Sequence, residues 1–281
     1  MSDIRIVTDS GADLDASLCT AEGIEVVPLT ITFGDVEYQD GVDLTPDAFY
    51  EKLRESKTMP FTTQPSPTEF LRTYERLRDE GATHIISIHL SSRLSGTVQS
   101  AVLAAREMTG VKIEVIDSLS ASLGIGLLAR EAARRRSEGE TFEAIVEAVR
   151  SMIPRIKVYF VVDTLEYLAK NGRIGKAQAL LGGILNVKPV LTLEDGVVSP
   201  AGKARGKNRA YSMVIERFKE AVGGQAVRGA IVHGAAPDDA RSLKEQIEAA
   251  CPGSQLSVHL LGPTIGTHAG PGTLGVVGIA P

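Results

Sequence analysis

The chain has no tryptophan and only 5% aromatic residues among its 281, so its core must be aliphatic. Its two cysteines, Cys19 and Cys251, lie far apart and fit neither a disulfide framework nor a metal-binding spacing. No apolar run approaches the ~20 residues that cross a bilayer, and no stable membrane insertion is expected. Positive charge is not in excess. The 30 Lys and Arg against 35 Asp and Glu leave a net charge of -5, which argues against nucleic acid as the main partner. No secretory pattern precedes the first predicted strand, so the cytoplasm is the expected compartment. The Gly-Lys-Ser/Thr ending of a Walker loop is missing, as are G-x-S-x-G and any metal-ligand constellation. What is present is ordinary for a soluble globular protein, 43% hydrophobic and 23% charged, and long enough for one large domain or two smaller ones.

Residues 262–272 organise the reading. Four glycines and two prolines surround Thr267 and His268 there, and a helix interior would be penalised at each of them, so the composition predicts a loop. Apolar runs at 258–261 and 274–280 flank it as buried strands. An imidazole is thereby held between strands on a segment with few side chains of its own. Taken alone, the segment reads equally well as a tight turn.

Upstream, strands are predicted at 4–7, 24–33, 84–90 and 113–116. Helices are predicted at 14–22 (capped by Asp13), from Thr45 to about 56, from a Ser66–Pro67–Glu69 capping box to about 80, at 98–108, within 119–137 and from Thr141 to about 153. The alternation implies a mostly parallel sheet in an N-terminal α/β domain, 1–155. Residues 156–281 read as a second α/β domain with a mixed sheet. Its elements are a strand at 157–162, an apolar helix at 177–185, a hairpin of 188–193 with 197–201, and helix–strand alternation to the end. Polar loops recur where strands end or helices begin: Thr8-Asp9-Ser10, Thr62-Thr63, and Ser91 to Thr97. Hydroxyls beside free helix-terminal N–H groups suit an anion. Arg173 follows an Asn171-Gly172 stop, where its guanidinium could fork onto a carboxylate or phosphate. Residues 134–136 read as a solvated basic helix end, and 203–209 as a basic loop.

These stretches resemble the DegV family of lipid-binding proteins. The match is carried by Thr8-Asp9-Ser10, Thr62-Thr63-Gln64-Pro65-Ser66, Leu90 to Thr97, Leu165 to Ile174, Lys188-Pro189-Val190-Leu191 and Gly266 to Gly272, in family order over nearly the whole chain. The family usually has Thr-Ser-Gln-Pro at 62–65 and Gly-Gly-Arg at 171–173. Here Thr63 keeps a second hydroxyl, and Asn171 tolerates the left-handed turn. The resemblance implies a two-domain α/β fold with a long-chain fatty acid, such as palmitate or oleate, between the domains and no other cofactor. The carboxylate is implied to meet Thr62 or Thr63 and Ser95, with Arg173, Thr267 and His268 completing the polar network. It further implies a partner, a fatty-acid kinase of the dihydroxyacetone-kinase type, to which the acid is presented for acyl-phosphate formation. Arg205 and its basic neighbours are the candidate docking point.

The competing expectation is a serine-type lipid or ester hydrolase, with Ser95 as nucleophile, His268 as base and Asp9 or Asp117 as orienter. The residue types are present, although no nucleophile-elbow motif surrounds Ser95.

Overall fold

The computed structural model describes residues 3–181 and 187–280. Four parallel strands, in the order β2 (Ile24–Val27), β1 (Ile4–Asp9), β6 (His84–His89), β7 (Lys112–Asp117), form the first sheet. Successive side chains point to opposite faces. Ile6, Ile86 and Ile88 therefore pack with α5 (Leu123–Ser137) and α6 (Phe142–Met152), while Val7 and Ile85 pack with α3 (Pro67–Asp79) and α4 (Thr97–Glu107). This is the expected three-layer α/β/α arrangement.

After the turn Ile153–Arg155 the chain builds a mixed sheet. Its order is β10 (Val197–Arg205), β9 (Val187–Glu194), β8 (Ile156–Val161), β13 (Leu274–Ile279), β11 (Arg228–His233), β12 (Gln255–Leu260), with only β11 and β12 parallel. One face carries α8 (Lys207–Ala221) and α9 (Pro237–Ala250), through Val214, Phe218 and Leu243 against Val190, Ile231 and Val276. The other face, Ala230, Val232 and Val277, meets Leu123 and Leu127 of α5. One helix is thus the common filling of two sheets, and it buries Gly124, Gly126, Ala129, Ala132 and Ala133 along its length.

The Arg run on α5 is solvated, as expected, and is also tied down by ion pairs. Arg134 and Arg135 grip Glu131, whose carboxyl their hydrogen bonds hold down to about 2, and Arg136 donates to the carbonyls of Glu22 and Gly23 behind α1 (Ala16–Glu22).

Other expectations change. Residues 24–33 are not one strand: Pro28, with no N–H to give, separates β2 from β3 (Thr30–Phe33). β3 is the centre of a small antiparallel sheet between β4 (Val36–Gln39) and β5 (Phe61–Thr63), packed on α2 (Pro46–Glu55) through Ile31, Phe33, Phe49 and Tyr50. Asp13 does not cap the first helix; it lies half-buried in left-handed geometry, φ 51°. The short α7 (Glu166–Lys170) is followed by a 3-10 helix, Gly175–Leu180, in place of the first part of the predicted helix at 177–185; the remainder of that prediction, from 182, lies outside the described residues. The basic loop at 203–209 is the end of β10 and the start of α8.

The largest correction is at 262–272, where residues Pro263–Ala269 form a helix, α10. Pro263 occupies the first helical turn, where no N–H is required, and Gly270 (φ 78°) ends it, so the residues read as breakers are its start and stop signals. Gly266 sits inside because α2 comes so close: a Cβ there would lie 2.6 Å from the Phe49 ring and 2.9 Å from the Tyr50 hydroxyl. Gly266→Ala is expected to destabilise the protein by roughly 1–3 kcal/mol in denaturant unfolding, the overlap outweighing the helix propensity gained.

Candidate functional site

Between the inner face of the mixed sheet and the C-terminal ends of the parallel strands lies a narrow cavity. Its wall is mostly aliphatic, with Leu29, Leu94, Val158, Val232, Leu261 and Val277 among its lining. Four of the residues expected from sequence meet in it: Thr62 from β5, Ser95 from the loop after β6, Arg173 after α7, and His268 from α10. Among the described residues, Arg173 is the only charged group in the lining.

Each is positioned by local chemistry. Ser95 shares a 2.8 Å hydrogen bond with Thr97, and Gln64 accepts from the Gly96 N–H at 2.9 Å, binding the Ser95 loop to the end of β5. Arg173 donates from Nε to the Leu94 carbonyl (3.0 Å) and from Nη1 to the Asn171 carbonyl (2.8 Å). These two bonds hold the guanidinium and leave its Nη2 edge for another acceptor. His268 Nε2 lies 2.8 Å from the Thr62 hydroxyl, and its buried Nδ1 has no partner among the described residues. Burial and the neighbouring Arg173 push the imidazole down to about 4, so it is neutral at physiological pH.

Two expected residues are not brought in. Thr63 alternates to the other side of β5, is exposed, and pairs across the small sheet with Thr30. Thr267 is fully buried and does not line the cavity; its carbonyl accepts from the Asn171 amide at 3.1 Å. Arg205 is exposed at the end of β10 and is also absent from the cavity lining.

The structure adds two carboxyls that the sequence reading missed as part of the site, Asp40 buried and Asp13 half-buried. Asp13 accepts from Gly262 N (3.0 Å) and the Ser122 hydroxyl (2.5 Å); Asp40 accepts from Thr264 N (3.1 Å) and Oγ1 (2.5 Å). They satisfy the N–H groups that open α10 and begin just behind the cavity wall, of which Ser122 and Thr264 are part. Burial raises Asp13 to about 8 and Asp40 to about 6. Neither could be found from spacing, since their partners lie more than a hundred residues away in sequence.

The hydrolase arrangement is not supported. Ser95 bonds to Thr97 and His268 to Thr62, so nucleophile and base are not joined. Asp9 is engaged elsewhere: it accepts from Gly11 N, Leu90 N and the ring of His89, which continues through Ser87 to Tyr74 in a fully buried chain. Asp117 accepts from Ser92 N and Leu119 N.

A family model described as "Uncharacterised protein, DegV family" matches residues 3–280. A DegV domain-containing protein of Caldanaerobacter subterraneus is 43% identical over 282 residues, 98% of either chain. Among solved structures, a DegV family protein from Thermus thermophilus, described by its fatty acid binding, superposes with a TM-score of 0.93 at 39% identity, covering 99% of this chain and 100% of that one. DegV of Bacillus subtilis, described as a fatty acid binding protein, superposes with a TM-score of 0.91 at 31% identity over the whole of both chains.

Because its pKa is depressed in the fold, His268 contributes stability that is present above its ordinary value of 6.5 and is lost as the pH falls toward about 4. An imidazole NMR titration is expected to place its midpoint near 4. Arg173→Met should raise that midpoint, because one of its two causes is removed.

Proposed function

The chain belongs to the DegV family, and from that footing we propose that it binds a long-chain fatty acid such as palmitate or oleate in this cavity and acts as a carrier, not as an enzyme. The observation that carries the reading is the charge balance of the lining: one guanidinium, no carboxylate among the described residues, and an otherwise mostly aliphatic wall. A buried carboxylate needs an opposite charge and several donors, or it protonates. Arg173 supplies the charge. Thr62 and Ser95 supply hydroxyls, and neutral His268 supplies a donor without adding a second charge. The acyl chain contributes about 0.8 kcal/mol per buried CH₂, offset by the cost of association. Thr63 and Thr267 take no part in this scheme.

In the same reading the carrier presents its acid to a fatty-acid kinase of the dihydroxyacetone-kinase type, in the cytoplasm, for conversion to an acyl phosphate. The family resemblance supports this step, as does a cavity in which Ser95 is bonded to Thr97 and not to His268. Exposed Arg205, at the junction of β10 and α8, is the proposed docking residue. The division into units 1–155 and 156–281, with the ligand between them, belongs to the same proposal.

The test is native mass spectrometry of the purified protein, then solvent extraction and lipid analysis. A released long-chain fatty acid is expected; a clean apo mass that also refuses added fatty acid would overturn the reading. Arg173→Met is expected to weaken fatty-acid binding by at least about tenfold, read by calorimetry. Arg205→Glu should leave fatty-acid affinity unchanged while abolishing turnover by an added fatty-acid kinase, and loss of lipid binding instead would count against docking there.

A further inference from the structure

The polar end of the cavity depends on a helix that cannot stand alone. At seven residues, α10 falls well short of the roughly 12–15 at which an isolated helix becomes even marginal, so its position is set by what holds it from outside. Two polar rungs join it to the small sheet. At the first, His268 meets Thr62 on β5 at 2.8 Å. At the second, Thr264 donates twice, from N and Oγ1, to one oxygen of Asp40, the residue directly after β4. Thr264 and His268 are four apart, on one face of the helix and one turn from each other. β4 and β5 flank β3, so the rungs grip the two edges of a single sheet. Asp40 does not line the cavity.

Resting on the fatty-acid reading, we propose that Asp40 is a positioning residue for the ligand's carboxylate: acting through Thr264, it fixes the height and rotation of α10 on the small sheet and so sets the spacing of His268 and Thr62. Without this rung the helix keeps its packing on Phe49 and Tyr50 but can slide along them, and a polar constellation loses its function on displacements of about 0.5 Å. α10 contributes only Ile265 and Ala269 to the aliphatic wall, the rest of which lies on other elements, so such a shift disturbs the polar contacts more than the apolar ones.

The experiment compares affinity for a long-chain fatty acid with affinity for the fatty alcohol of the same length, which shares the tail and lacks the carboxylate. Asp40→Ala is expected to lose about tenfold for the acid while staying within about twofold for the alcohol. Asp40→Asn retains an oxygen for both Thr264 donors and should restore the acid affinity to within about twofold of the native protein. The His268 imidazole NMR signals should move in Asp40→Ala and return in Asp40→Asn. Equal loss for acid and alcohol would make Asp40 a general support and overturn the proposal; so would no loss for either. If Asp40→Ala does not fold, Thr264→Val decides, since it removes one donor and keeps the shape: a fall in the acid-to-alcohol affinity ratio supports the proposal and an unchanged ratio overturns it. Failure of the native protein to bind the acid at all would remove the fatty-acid reading itself, and is read before any variant.

Discussion

The structure depends on α5 being buried from both sides. Its first two turns, 123–129, carry no polar side chain, as a helix that serves two sheets requires, and its Gly and Ala positions keep it thin enough to let both sheets approach. The one carboxylate it does bury, Glu131, is matched by Arg134 and Arg135 from its own next turn, so the ion cluster is assembled locally. The helix begins at Leu123, and Ala121 and Ser122, just before it, are cavity wall. Where the filling stops, the two sheets face each other across a gap, and the elements that close it are the small sheet, the Ser95 loop and α10. The binding space follows from where one helix starts.

Closing that gap sets an electrostatic problem, solved by distributing charge in two layers. Facing the cavity are one guanidinium, an imidazole kept neutral by burial, and hydroxyls. Behind the wall are Asp13 and Asp40, whose carboxyls burial pushes above the usual carboxylate range. Their oxygens take up the N–H groups at the start of α10, a role usually filled by a cap residue within the same helix, here left to Gly262, which has no side chain to offer. The carboxyls thus hold the frame without lining the cavity, where they would repel an anion.

The regular parts of the fold were legible in the sequence for a plain reason. β1, β6 and β7 are short, largely apolar runs, and a Ser66 capping box or a Pro at the first helical position needs only neighbouring residues to act. What was not legible depends on distant residues. Pro263, Gly266 and Gly270 look like loop composition until α2 is seen lying against Gly266. Asp13 looks like a cap until Ser122 and Gly262 arrive from elsewhere in the chain. In the site, Thr62, Ser95, Arg173 and His268 were brought together by the family resemblance; the residues alone showed only polar loops, a glycine stop and a lone imidazole. Thr62 and Thr63 could not be separated until β5 was seen to be a strand, in which adjacent residues face opposite ways.

The same geometry orders a ligand along the cavity. Thr62, Ser95, Arg173 and His268 are themselves each half-buried. Val232 and Val277 lie among buried neighbours on central strands of the mixed sheet. A fatty acid would therefore enter with its methyl end leading and keep its carboxylate outermost. A carboxylate at the rim, held by one half-buried Arg and neutral donors, escapes most of the desolvation penalty that a fully buried ion pair suffers. It can also be reached by another protein while the tail stays out of water. That orientation suits handing over a reactive head group; a lipase-type cleft would need an activated nucleophile at the same place, and Ser95 has no base beside it.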